Sequence, residues 1–101
     1  MSAQAPAALS LVAEIRARPG REAELGALLR GLVPPTLAEE GCLGYALHLS
    51  EEEAGHYLFY ETWASVALWE RHMASPHLAA FQARTEELVA EWRLLRLSRI
   101  A

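Results

Sequence analysis

The segment His56–Trp63 (HYLFYETW) has no plainly polar face. Alternation puts Leu58 and Tyr60 on one side, with Tyr57, Phe59, Glu61 and Trp63 on the other. A strand that is apolar on both sides is expected to be central and covered on both faces. It also opens the part of the chain richest in rings. Between Tyr57 and Phe81 lie two of the three tryptophans, two of the three tyrosines, both phenylalanines and two of the four histidines. A site built from aromatic and titratable groups is expected there.

The flanking segments switch between two periods. Leu9–Ala17 alternates, with Leu9, Leu11, Ala13 and Ile15 pointing one way, and reads as a first strand stopped by Pro19-Gly20. Leu25, Leu28, Leu29 and Leu32 follow the spacing i, i+3, i+4, i+7 of a helix with one apolar stripe. Pro34-Pro35 is expected to interrupt that helix, leaving Thr36–Glu40 as an irregular last turn closed by Gly41. Cys42–Ser50 is a second strand, with Leu43, Tyr45, Leu47 and Leu49 on one face. The polar run 51–55 joins it to His56–Trp63 as a hairpin. Ser65 caps a short helix through Met73. Ser75 with Pro76 at the first helical position starts another segment, running through Leu78, Phe81, Leu88 and Val89. Glu91–Ile100 is expected to be the last strand.

The order β-α-β-β-α-β predicts an α+β, ferredoxin-like fold, a four-stranded antiparallel sheet with the helices on one face. The other face carries apolar residues with nothing left in one chain to cover them. A second copy packed sheet to sheet, as a symmetric homodimer, is the expected cover. At 101 residues the chain is expected to form a single domain over 8–101, with 1–7 loose.

Charge and composition exclude several functions. A net charge of −4, with nine scattered basic residues that are all arginine, argues against nucleic acid as a partner. Cys42 is the only cysteine, so no intramolecular disulfide or CxxC site is expected. No apolar run approaches 18 residues and the N-terminal stretch lacks a basic n-region. The expectation is a cytoplasmic protein with no membrane partner. There is no GxGxxG or phosphate-binding loop, so no nucleotide cofactor is expected.

Four modest motifs in order carry a resemblance. Strand one ending in Pro19-Gly20, the entry Glu40-Gly41-Cys42-Leu43-Gly44-Tyr45 to strand two, Glu61-x-Trp63, and His72-x-x-x-x-His77 with Phe81 together resemble the antibiotic biosynthesis monooxygenase (ABM) domain. The resemblance covers about Leu9 to Ile100. It implies a dimeric α+β barrel with a pocket between sheet and helices in each subunit. It also implies an activity drawn from cofactor-independent oxidation of quinols or anthrones by O₂, haem degradation, or isomerisation of a small phosphorylated metabolite.

On that resemblance Trp63 lines the pocket, though a tryptophan ending a central strand is also ordinary core. Glu61, on the same strand face, is either a general base beside aromatics or a hydrogen-bonded anchor. His72 is the candidate for taking a phenolic proton, against the plainer reading of a histidine bonded to nearby backbone. Tyr60, Trp69, His77 and Phe81 complete the expected substrate-binding set, with His77 as much a cap or packing residue as a ligand contact. No metal is expected, because neither His48…His56 nor His72…His77 has helical i, i+4 spacing or an obvious carboxylate joining it. Haem degradation is disfavoured because Ile15 stands where the haem-degrading members resemble one another in carrying asparagine. The reading is an oxygenase of a small electron-rich aromatic that uses no cofactor. The alternatives are a non-catalytic dimeric binding domain and an isomerase, and the isomerase lacks an evident basic phosphate rim.

Overall fold

A computed structural model describes residues 8–101, so the stretch 1–7 expected to be loose lies outside the described residues. The elements are β1 (Leu9–Ala17), α1 (Glu22–Leu37), β2 (Cys42–Leu49), β3 (His56–Trp63), α2 (Val66–Met73), α3 (Pro76–Gln82), α4 (Thr85–Leu88) and β4 (Val89–Leu97). The sheet order is β2-β3-β1-β4, with every neighbouring pair antiparallel. This is the ferredoxin-like α+β arrangement expected from the alternation of periods. Among the described residues no helix is long and apolar enough to cross a membrane.

Strand pairing sorts the side chains onto two faces. Ala13 pairs with Phe59 and Leu94, so these three share the helix side with Leu11, Ile15, Tyr57, Glu61 and Trp63. Leu25, Leu29 and Leu32 of α1 pack there against Ile15, Tyr57 and Phe59, joined by Leu78 and Leu88. Leu9, Leu11 and Trp63 form a second cluster with Leu68 and Trp69 of α2. Each large aliphatic side chain buried in this way is worth about 1.5–3 kcal/mol. The opposite face carries Val12, Leu58, Tyr60, Leu95 and Leu97. β3 is therefore central, and within one chain Tyr60 on its second side keeps 48% of its surface exposed.

Three local expectations fail, each for a physical reason. Helix α1 does not stop at Pro34-Pro35 but continues through both to Leu37. The carbonyls that lose their partners belong to Arg30 and Gly31, both exposed, so water can bond them. Leu32 before the prolines and Thr36 after them stay buried and hold the helix to the sheet. The second helical region is not continuous either. Thr85 donates its hydroxyl to the Gln82 carbonyl at 2.8 Å, breaking the chain into α3 and α4, and Val89 already begins β4. In β2 the register slips between Cys42 and Gly44, which turns Leu43 out to solvent while Tyr45 stays in the core.

Two glycines are required where they stand. Gly26 of α1 leaves room for the Tyr57 ring, whose hydroxyl donates to the Glu22 carbonyl at 2.9 Å. Gly41 has φ +85°, and its carbonyl accepts from the Ala64 amide at 2.8 Å, tying the entry of β2 to the exit of β3. A Cβ there would stand 2.8 Å from Leu68 Cβ and closer still to its Cδ1. Gly41→Ala combines left-handed backbone strain with overpacking, and is expected to lower unfolding free energy by about 2–3 kcal/mol in urea melts. A loss below about 0.5 kcal/mol would show that the turn relaxes freely.

Candidate active site

Between the sheet and the helices lies a cavity of about 230 Å³. Its sheet wall is Ala13 and Ile15 of β1, Tyr45 of β2, and Phe59 and Glu61 of β3. Trp69, His72 and Met73 of α2, with Leu78 and Phe81 of α3, form the helix wall. Trp92 of β4, 69% exposed, reaches it from the sheet edge; Arg93 lies beside it, its side chain turned with its pair partner Glu14 toward the other sheet face. The lining is mostly apolar, so a polar group on it acts in a medium of low dielectric.

Two proton acceptors stand out on that lining. Glu61 is 5% exposed, and Trp63 Nε1 donates to its Oε1 at 2.9 Å. Burial raises the Glu61 carboxyl above the usual carboxylate range; the Trp63 hydrogen bond opposes the rise and the charge of Glu39 adds to it. His72 is 1% exposed, its ring 4.7 Å from that of Trp63 and 5.5 Å from that of Tyr45. Burial lowers its proton affinity below the ordinary 6.5, against the Glu39 hydrogen bond that favours the charged ring. Burial also pushes the Tyr45 hydroxyl far up, so that phenol stays neutral.

Behind His72 a single carboxylate oxygen serves two imidazoles. His72 Nδ1 donates to Glu39 Oε2 at 2.6 Å, and His77 Nε2 lies 2.8 Å from the same oxygen. Ser75 Oγ stands 3.3 Å from His77 Nε2 and accepts from the Leu78 amide, capping α3. The expectation that no carboxylate joins His72 and His77 is thus corrected, because the chain end of α1 supplies Glu39. Their ligand atoms lie within 4.8 Å of one another, close enough to hold a divalent ion. The two short hydrogen bonds account for the arrangement without one.

Of the residues singled out from sequence, Glu61, Trp69, His72 and Phe81 meet on the cavity wall. Trp63 is fully buried behind it, reaching the site only through Glu61 and His72. His77 sits one layer further back, on Glu39. Tyr60 points to the opposite sheet face, as its position between Phe59 and Glu61 requires. Sequence reasoning missed Glu39, Tyr45 and Trp92. Glu39 did carry a signal: an acid just past a helix C-terminus opposes the helix dipole and calls for a cationic or donor partner.

The pH dependence of folding reads these burials. Because the folded His72 binds protons less well than the unfolded, its contribution is whole above pH 6.5 and is lost as pH falls toward the lowered value. Glu61, with its affinity raised from 4.5, acts in the opposite sense: its contribution is present below that value and lost as pH rises through the raised one. Each is best seen as a difference. Urea midpoints of His72→Gln minus wild type should rise as pH falls from 7.5 to 5, and those of Glu61→Gln minus wild type should rise as pH increases. Differences flat with pH would mean that neither group is desolvated.

Comparison with known proteins agrees with this architecture. The sequence profile described as antibiotic biosynthesis monooxygenase matches residues 8–84. The chain is 33% identical over 97 residues to the Probable quinol monooxygenase YgiN of Escherichia coli (strain K12), covering 85% of this chain and 92% of that protein. It is 28% identical over 87 residues to the Uncharacterized protein sll1783 of Synechocystis, covering 86% of this chain and 59% of that longer protein. The crystal structure of PA3566 from Pseudomonas aeruginosa superposes with a TM-score of 0.93 at 34% identity, covering 98% of this chain and all of that one. With the family profile spanning most of the chain and the fold matching throughout, the protein belongs to the antibiotic biosynthesis monooxygenase family.

Proposed function

We propose that the protein is a cofactor-independent monooxygenase that oxidises a small electron-rich aromatic, of quinol or anthrone type, with O₂. The observation that carries this reading is the pairing of an apolar, ring-lined cavity with two desolvated proton acceptors on its wall, His72 and Glu61. Apolar walls suit a planar substrate and dioxygen alike. A carboxylate accepts, so Nδ1 of His72 carries its proton and Nε2 is the nitrogen free to take another. The relative named a quinol monooxygenase supports the substrate class.

In this mechanism His72 Nε2 takes a proton from the substrate hydroxyl or activated C–H, leaving an electron-rich anion. The anion passes one electron to O₂, and the resulting pair combines into a substrate peroxide. His72 returns the proton to the peroxide; Glu61 then takes the second C–H proton as the O–O bond breaks and hands it to the departing hydroxide, which leaves as water. For an anthrone-like methylene the balance is R₂CH₂ + O₂ → R₂C=O + H₂O. The protein supplies orientation, exclusion of water and two bases at fixed places. At about 230 Å³ the cavity falls below the roughly 300–1,000 Å³ of drug-sized sites, which favours a quinol of one or two rings over a three-ring anthrone. Among the described residues Arg93 is the only arginine at its edge, and its pairing with Glu14 turns the side chain to the other sheet face, which leaves little to hold a phosphorylated isomerase substrate.

The same reading includes a cytoplasmic setting and a homodimer formed through the Val12, Leu58, Tyr60, Leu95 and Leu97 face, which gives Tyr60 a partner away from the substrate. Sedimentation should give twice the chain mass for the wild type and the chain mass for Leu58→Glu. Equal masses for both would remove this face from the assembly.

The decisive assay is oxygen uptake by metal-free protein with a panel of hydroquinones and anthrones. Uptake is expected with one- or two-ring substrates, and His72→Ala and Glu61→Gln should each lower kcat by about 10²–10⁴-fold. Full turnover in both folded variants would sink the proposal. Saturable binding without uptake would instead make the protein a binding domain, and anaerobic conversion would make it an isomerase.

A further inference from the structure

We infer that Glu39 is a positioning residue that selects which nitrogen of His72 is offered to the cavity and steadies the charge formed there, while His77 limits that hold by sharing the same oxygen. The inference rests on His72 being the base of the proposed reaction. A buried imidazole has two tautomers, and only the one protonated at Nδ1 leaves the lone pair on Nε2. Glu39 Oε2, 2.6 Å from Nδ1, selects that tautomer, because a carboxylate can only accept. Once Nε2 gains a proton, the imidazolium forms beside an anion, and Coulomb attraction at this distance favours it in a site that water barely reaches.

His77 enters through competition. Its Nε2 lies 2.8 Å from the same Glu39 oxygen, so part of that oxygen's accepting capacity is directed away from His72. The two imidazole rings are 5.9 Å apart, and a positive charge on one opposes a positive charge on the other. The remaining titratable groups around His72 on the cavity wall are Tyr45 from β2 and Glu61 from β3, while Arg93 of β4 pairs with Glu14 and turns to the other sheet face. Glu39 and His77 approach from the other side and are themselves only partly buried, so both can be changed without opening the core.

The test follows the histidine nitrogens by ¹⁵N NMR in otherwise native protein. Wild type should show neutral His72 protonated at Nδ1. Glu39→Gln keeps an oxygen that can accept but removes the charge, and should move the His72 titration down by about one pH unit or more. His77→Phe keeps a ring but removes the competing donor, and should move it up. The opposite signs are the signature, since a merely structural role would move neither. In oxygen uptake, Glu39→Gln should cut kcat by about tenfold or more with KM changed less than about twofold. An unshifted His72, or shifts of the same sign in both variants, would overturn the inference. So would stoichiometric Zn²⁺ binding that perturbs His72 Nδ1 and His77 Nε2 together, which would assign the three side chains to a metal centre. If wild type turns over nothing, the oxygenase reading falls while the two titration shifts still judge Glu39.

Discussion

One carboxylate oxygen holds the roof of the cavity together. Glu39 follows the end of α1, His72 ends α2 and His77 begins α3, and the three meet within hydrogen-bonding distance. Helices α2 and α3 have eight and seven residues, too short to persist on their own in water. Their caps, Ser65 and Ser75, fix where each begins. What fixes them relative to α1 is the apolar contact below and the Glu39 junction above. The wall that carries His72 is therefore placed by a polar contact between segments distant in sequence.

The opposite wall is placed by the pleat of β3. Because side chains alternate, Phe59 and Glu61 must share the cavity side and Tyr60 must leave it. That much was legible from parity alone, and grouping Tyr60 with the substrate contacts ignored it. The strand order and the Ser65 and Ser75-Pro76 helix starts were legible for the same reason, since each is written in neighbouring residues. Glu39 was legible only as an acid past a helix end in need of a partner, since the two histidines that meet it lie 33 and 38 residues away and no local pattern pairs them. Trp92 read only as strand hydrophobe, since a cavity edge has no period.

The departures from local rules share a cause. Pro34-Pro35 lies in a helix because its orphaned carbonyls face water while Leu32 and Thr36 on either side are buried. Leu43 turns out because a bulge lets Tyr45 keep its stacking on Phe59, ring centroids 4.5 Å apart. In both places a local preference worth at most a few kcal/mol yields to packing of comparable size. Such contests are decided by three-dimensional context, so the sequence states the preference and not the outcome.

Strand β4 lies at the sheet edge, and Trp92 on it reaches the cavity while remaining largely exposed. Trp92 belongs to neither buried cluster. The side chain on this margin can thus change at little cost to folding, while Glu61 and His72 stay under the constraint of the core. On the function proposed above, a lineage that keeps one chemistry and changes its aromatic substrate writes its history on β4.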